Sequence, residues 1–229
     1  TSPPRPTSTL LWRGEKAAGG GAISPDGRYI SFVDWSTGNL CLHDVATGID
    51  RSIVQANNPA RGDWKAYAEA SAISRDGEKI AYSWFNASSN AYELWVASLV
   101  GDPRPRRLSV VPRVPWLEPR DWSPDGKWVA VVAHFEDRTT RLGVVSTQDG
   151  AFRPLKTVSA LVDSNMFFSP DGAFLAYDLP TGATIARDVW LIAVDGTGDA
   201  AVVASRGDDL LMGWSPDGRR LIFASDRTG

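Results

Sequence analysis

The chain has 229 residues, enough for one all-β domain with a sizeable core, and its 24 basic and 27 acidic residues leave a net charge of −3. No basic stripe offers a footprint for nucleic acid, and apolar runs such as Trp128 to Ala133 are too short to span a membrane. The single cysteine, Cys41, excludes an internal disulfide and reads as a buried small hydrophobe.

In chain order, Thr1 to Pro6 carries three prolines, and residues 1–8 read as a linker or disordered lead-in. Residues 9–229 read as one domain. Its first segment, Thr9 to Arg13, is apolar at Leu10, Leu11 and Trp12 and precedes the first turn by the distance expected of an outermost strand. Ile23 then leads into Ser24-Pro25-Asp26-Gly27. Ser suits the first position of a type I turn, Pro the second and Gly the fourth, so this phrase predicts a tight turn between two strands. Ile30, Ser31 and Phe32 alternate as a strand, and Leu40 and Leu42 mark the next one before a second turn at Gly48. A long connection, Ala56 to Tyr67, carries Arg61 and Trp64, and Glu69 follows it.

The second unit repeats the order. Ile73 enters Ser74-Arg75-Asp76-Gly77, Ile80, Ala81 and Tyr82 leave it, and Leu94 and Val96 precede Gly101. Arg75 takes the position that proline holds in the other copies. With φ near −65° there, Arg75→Pro is expected to be neutral or to stabilise by roughly 0.4–1 kcal/mol. Arg107 to Val110 closes this unit, and a second long connection, Pro112 to Arg120, carries Arg113, Trp116 and Glu118. The third unit runs Trp122, Ser123-Pro124-Asp125-Gly126, Val129 to Val131, Leu142 and Val144, Asp149-Gly150 and Pro154 to Val158. The fourth follows Asp163 with Phe168, Ser169-Pro170-Asp171-Gly172, Leu175 to Tyr177, Val189 and Leu191, and Asp195-Gly196. The Asp-Gly pairs are strong hairpin signals. Asp209 and Trp214 lead into the fifth copy, Ser215-Pro216-Asp217-Gly218, and the strand Leu221 to Phe223 leads to Ser225-Asp226-Arg227-Thr228-Gly229.

The five serines are 50, 49, 46 and 46 residues apart, a period that signals a repeat architecture. Each unit reads as four antiparallel strands, a to d, with the Ser-Pro-Asp-Gly turn between a and b. Units of this size are the blades of a β-propeller. Small residues between the large ones let neighbouring blades approach. A β-sandwich is the rival, but it supplies no reason for a repeated phrase in fixed register. Four complete blades and a partial fifth are predicted. Either the N-terminal strand completes a five-bladed ring, or the chain is a segment of a larger one, the reading preferred here because a closing blade without strand c is poorly formed.

Catalytic chemistry is not evident. His43 and His134 fall on different blades, and neither adjoins a nucleophile. Gly213-Trp214-Ser215-Pro216-Asp217 departs from a nucleophile elbow where Gly is required. No phosphate loop, dinucleotide fingerprint or zinc spacing occurs. The turn aspartates are explained as turn formers. No catalytic residue, metal or cofactor is assigned.

The phrase Trp122 to Lys127, repeated as Trp214 to Arg219, resembles the propeller repeats of TolB-type bacterial proteins, and Ser225 to Gly229 is similar to the phrase that ends strand b there. The resemblance runs over nearly the whole chain. It implies a bacterial, extracytoplasmic (periplasmic) β-propeller that binds a protein or peptide without catalysing a reaction. Similar repeats also serve as substrate-gating propellers of prolyl-oligopeptidase-like and tricorn-like peptidases, which is the alternative reading. A small lectin is a third, supported only by surface tryptophans.

Two candidate sites follow. The d-to-a and b-to-c loops share one face, so Arg61, Trp64, Arg113 and Trp116 are expected there, at least partly exposed. Glu69, Glu118, Asp163 and Asp209 stand five or six residues before their turn serines and are expected to ring the channel mouth as an acidic collar for a cation or a basic peptide end.

Overall fold

The computed structural model describes residues 10, 12, 21–56, 58, 65–109, 111, 114–180 and 185–227. They form an all-β propeller array, each blade an antiparallel meander. The first blade holds β1 (Tyr29–Asp34), β2 (Asn39–Asp44) and β3 (Ile49–Val54), with a bridge between Ile23 and Ile30 as its innermost pairing among the described residues. The second holds β4 (Ala66–Ile73), β5 (Lys79–Asn86), β6 (Ala91–Ser98) and β7 (Arg106–Ser109). The third holds β8 (Trp116–Trp122), β9 (Trp128–His134), β10 (Thr140–Ser146) and β11 (Phe152–Val158). The fourth holds β12 (Met166–Phe168), β13 (Phe174–Pro180), β14 (Arg187–Ala193) and β15 (Asp199–Val203). The fifth holds β16 (Asp209–Trp214) and β17 (Leu221–Ser225).

Each repeated phrase builds the predicted turn. The glycine N–H donates to the serine carbonyl at 2.8 or 2.9 Å in all five copies, and the glycines sit at φ between 68° and 74°. The serine hydroxyl donates to the aspartate and accepts the backbone N–H five residues on, as in Ser123 with Asp125 and Trp128. The aspartate also accepts the N–H that follows the glycine, as Asp125 does from Lys127. The serine hydroxyl and the aspartate carboxylate of each turn are thus paired within five residues.

Neighbouring blades bury their faces against one another, so the core is a series of interfaces rather than one centre. Val33, Leu40 and Leu42 of the first blade meet Ile80 and Tyr82 of the second. Ala130, Val132, Leu142 and Val144 of the third meet Leu175 and Tyr177 of the fourth. The small residue of strand b therefore faces the following blade, and the large ones face the preceding blade. Tryptophan before the turn adds a polar tie: Trp122 donates its indole N–H to the Ala72 carbonyl at 2.9 Å, and Trp214 donates to that of Phe167 at 3.3 Å.

Among the described residues no other blade packs on the large-residue face of the first blade. Trp12 covers that face instead, 4.8 Å from the Phe32 ring and stacked 4.7 Å from His43. The rest of the predicted Thr9 to Arg13 strand, Leu10 apart, lies outside the described residues. Cys41 is buried and free, as expected.

Candidate binding site at the channel mouth

The innermost strands β4, β8 and β12, with the Ile23 bridge, enclose a central cavity of about 310 Å³ lined in part by Ser71, Arg120, Asp121 and Asn165. The long connections are shorter than the sequence suggested. Trp116 already begins β8 and Ala66 begins β4, so Glu69 and Glu118 stand within inner strands. Two of these inner strands carry a β-bulge, between Ala68 and Ser71 in β4 and between Pro119 and Asp121 in β8. Bulges re-aim side chains, and here they turn Glu69 and Arg120 out of the ladder.

Arg120 joins two of the predicted carboxylates, donating from one guanidinium nitrogen to both Glu118 and Asp163. Asp163 remains largely exposed, whereas Glu118 is mostly covered. Glu69 accepts a hydrogen bond from the Tyr92 hydroxyl, which lies 3.2 Å from the hydroxyl of Tyr67. Burial pushes the Glu69 carboxyl above its ordinary range; the Tyr92 hydrogen bond opposes this, and the nearby Glu118 charge adds to it. His134, paired with Trp116 across the strands, is pushed below its ordinary value by burial, and Arg120 adds to this against the pull of Glu118 and Asp163. Trp116 is 38% exposed and packs 5.2 Å from the Tyr92 ring, at the end of an aromatic row with Phe85, Tyr67 and Trp35.

The structure therefore brings Glu118 and Asp163 together on Arg120, which lines the central cavity, with Glu69 near Glu118. It does not bring Asp209 there. That carboxylate is fully buried in the fifth blade, where the Ser205 hydroxyl donates to it at 2.7 Å and Arg227 lies 3.7 Å away. Burial pushes its pKa up, but the Ser225 and Ser205 hydroxyls and Arg227 outweigh this and hold it below the ordinary value. Arg61, Trp64 and Arg113 lie outside the described residues. Among the described residues, no group of His, Cys, Asp and Glu is arranged to hold a metal ion. No helix is long and apolar enough to cross a membrane.

At the opposite end, sequence reasoning missed a side chain that ties three blades together. The Arg75 guanidinium reaches from the second-blade turn to Asp121 of the third blade at 3.1 Å and to the Phe168 carbonyl of the fourth at 2.8 Å. Asp121 also accepts the Phe168 N–H at 2.8 Å. The expectation that Arg75→Pro would be neutral or stabilising is thereby overturned, because proline removes a tie across three blades. The signal was present in the sequence as the one copy lacking proline.

No family model matches the chain, and no curated protein does. Solved structures do share its fold. A putative TolB from Agrobacterium tumefaciens aligns with TM-score 0.68 and 20% identity, over 95% of this chain and 73% of that one. TolB from Acinetobacter baumannii aligns with TM-score 0.60 and 17% identity, over 88% of this chain and 47% of that one. The β-propeller domain of the Trilobed protease from Pyrococcus furiosus aligns with TM-score 0.61 and 15% identity, over 88% and 61%. The chain thus has a TolB-like propeller fold, and it spans between about half and three quarters of the length of these three structures.

Proposed function

We propose that this propeller is a non-catalytic scaffold that binds a protein or peptide, taking a basic side chain or amino terminus at the channel mouth. The observation that carries the reading is the sharing of the Arg120 guanidinium by Glu118 and Asp163, with Glu69 close enough to Glu118 to feel its charge and the exposed ring of Trp116 nearby. Glu69, Glu118 and Asp163, with Asp178 close by, outnumber the guanidinium groups of Arg120 and Arg187 and leave a negative mouth. Glu118 and Asp163 already hold a guanidinium, which is the chemistry a ligand arginine or lysine would offer. An indole beside them adds an aromatic face for the ligand's cation. The TolB likeness supports an extracytoplasmic setting for a bacterial protein of this kind.

The alternative, a substrate-gating propeller of a larger peptidase, draws on the Trilobed protease likeness. Gating needs a through passage. Arg75 joins three blades at the far end of the channel, which favours a pocket over a passage.

Calorimetry with lysine-rich and glutamate-rich peptides tests the proposal. The basic peptide is expected to bind, and Asp163→Asn and Glu69→Gln each to weaken it about two- to tenfold. Equal affinity for both peptides, or none for either, would overturn the reading.

A further inference from the structure

The second blade departs from its siblings in three ways, and all three converge on one pocket. The first residue of strand b is aromatic in the first, third and fourth blades, as Tyr29, Trp128 and Phe174, but it is Lys79 in the second. The hairpin from strand c to strand d holds one residue more between Val96 and Arg106 than between the equivalent pairs Leu42 and Arg51, Val144 and Arg153, and Leu191 and Ala200. Within that longer hairpin Arg104 sits at φ 38°, a conformation that favours glycine. Breaks in an otherwise consistent pattern are expected where strain is held for a function.

The pocket has a volume of about 340 Å³ and lies in the groove between the second and third blades, at the end that carries the turns. Both blades are complete, and each is flanked by a further blade on its other side. Val96, Ala97 and Trp122 give the lining an apolar surface, and Lys79, Arg104 and Arg106 bring three cations against the single carboxylate of Asp102. Arg104 pairs with that carboxylate at 3.1 Å. Arg106 donates to the Thr147 carbonyl of the third blade at 2.9 Å and has no carboxylate partner among the described residues. Lys79 is exposed, and Asp76 lies close enough to feel its charge.

The third blade shows what this pocket lacks. There Arg153, at the position of Arg106, lies over the Trp128 ring at 4.9 Å, and Trp128 packs against the interface with the fourth blade. The second blade keeps the guanidinium but has the Lys79 ammonium where the ring would start. We propose that the pocket binds a small aromatic anion, its ring against the Arg106 guanidinium and its carboxylate or phosphate paired with Lys79 and Arg104. The excess of cations sets the sign of the ligand, and the apolar lining with its missing ring sets the body. This inference does not depend on what the channel mouth binds.

Titration calorimetry of the intact chain with phenylacetate, phenyl phosphate, phenylacetamide and inorganic phosphate is the test. Saturable binding of an aromatic anion is expected, and the order of phenylacetate and phenyl phosphate distinguishes the two head groups. The neutral amide and inorganic phosphate are each expected to bind at least about tenfold more weakly than the better of the two. Lys79→Trp, which gives the second blade the residue of the third, is expected to abolish binding with the circular dichroism spectrum unchanged. Arg106→Gln is expected to weaken binding about three- to tenfold, and Asp163→Asn at the channel mouth to leave it unchanged. Absence of saturable binding by either aromatic anion would overturn the inference. So would equal affinity for the amide or for inorganic phosphate, or full affinity in Arg106→Gln or in folded Lys79→Trp, since the anion would then sit elsewhere.

Discussion

Arg75 shows how one side chain can reverse an argument made from its local conformation. The turn itself accepts proline, as its siblings do. What proline lacks is the guanidinium, which serves a covered carboxylate and a carbonyl on two further blades. Loss of hydrogen bonds to a charged group costs roughly 1–3 kcal/mol, so Arg75→Ala is expected to destabilise the chain by that amount in chemical denaturation. Arg75→Pro is expected to lose about 0.4–1 kcal/mol less than Arg75→Ala, because proline also restricts the unfolded chain. The deficit carries a pH signature. Burial holds the Asp121 carboxyl above its ordinary value, with Arg75 opposing. Removing Arg75 raises it further, so the folded state of the variant is more strained by the ionised form. The deficit is therefore largest near neutral pH and shrinks as pH falls toward the ordinary carboxylate range, where the group is protonated in both states. A deficit that is constant from pH 7 to pH 4 would mean that Asp121 is not the partner that matters.

The turn is the element on which the propeller repeats. Gly126 sits at φ 68° with open space where a Cβ would stand, while a Cβ at Gly218 would meet Pro170 at 2.5 Å. Gly126→Val is thus expected to cost about 1–3 kcal/mol from backbone conformation alone, and Gly218→Val to cost more, as thermal melts can show. The turn aspartates supply the acid response. At Asp26, Asp171 and Asp217 the serine hydroxyl and the following N–H hold the carboxyl below its ordinary value; at Asp76 and Asp125 the same bonds outweigh an opposing effect of burial. A depressed carboxyl contributes stability above the unfolded pKa, and that stability is lost as pH falls through the folded one. Melting temperature is expected to be flat above about pH 5 and to fall below about pH 4, with the fall reduced in Asp171→Asn relative to its own neutral value.

At the scale of the molecule, the interfaces form a chain of contacts from Trp12 on the first blade to the fifth blade. The net charge of −3 and the acidic mouth act together on an approaching basic peptide. Its association rate is expected to fall severalfold between low and physiological salt in stopped-flow measurements, with the dissociation rate changing less. A salt-independent on-rate would mean that the mouth exerts no steering.

Sequence alone determined what depends on short stretches of chain. The five turns, the alternation of large and small residues and the positive φ of the glycines are local consequences of residue type, and each copy repeats the statement. From those the blade, its register and the propeller architecture follow. Glu69, Glu118 and Asp163 were legible as a set because a repeat places equivalent positions around one axis. Only the tertiary structure decided which of them meet. Asp209 occupies the corresponding position but is buried among Ser205, Ser225 and Arg227, since its own blade folds over it. The shared guanidinium of Arg120 depends on a bulge, and the reach of Arg75 spans 46 residues to Asp121 and 93 to Phe168. Such contacts are set by how rigid blades abut, and no local pattern encodes the distance between two side chains that the chain separates by one or two whole repeats.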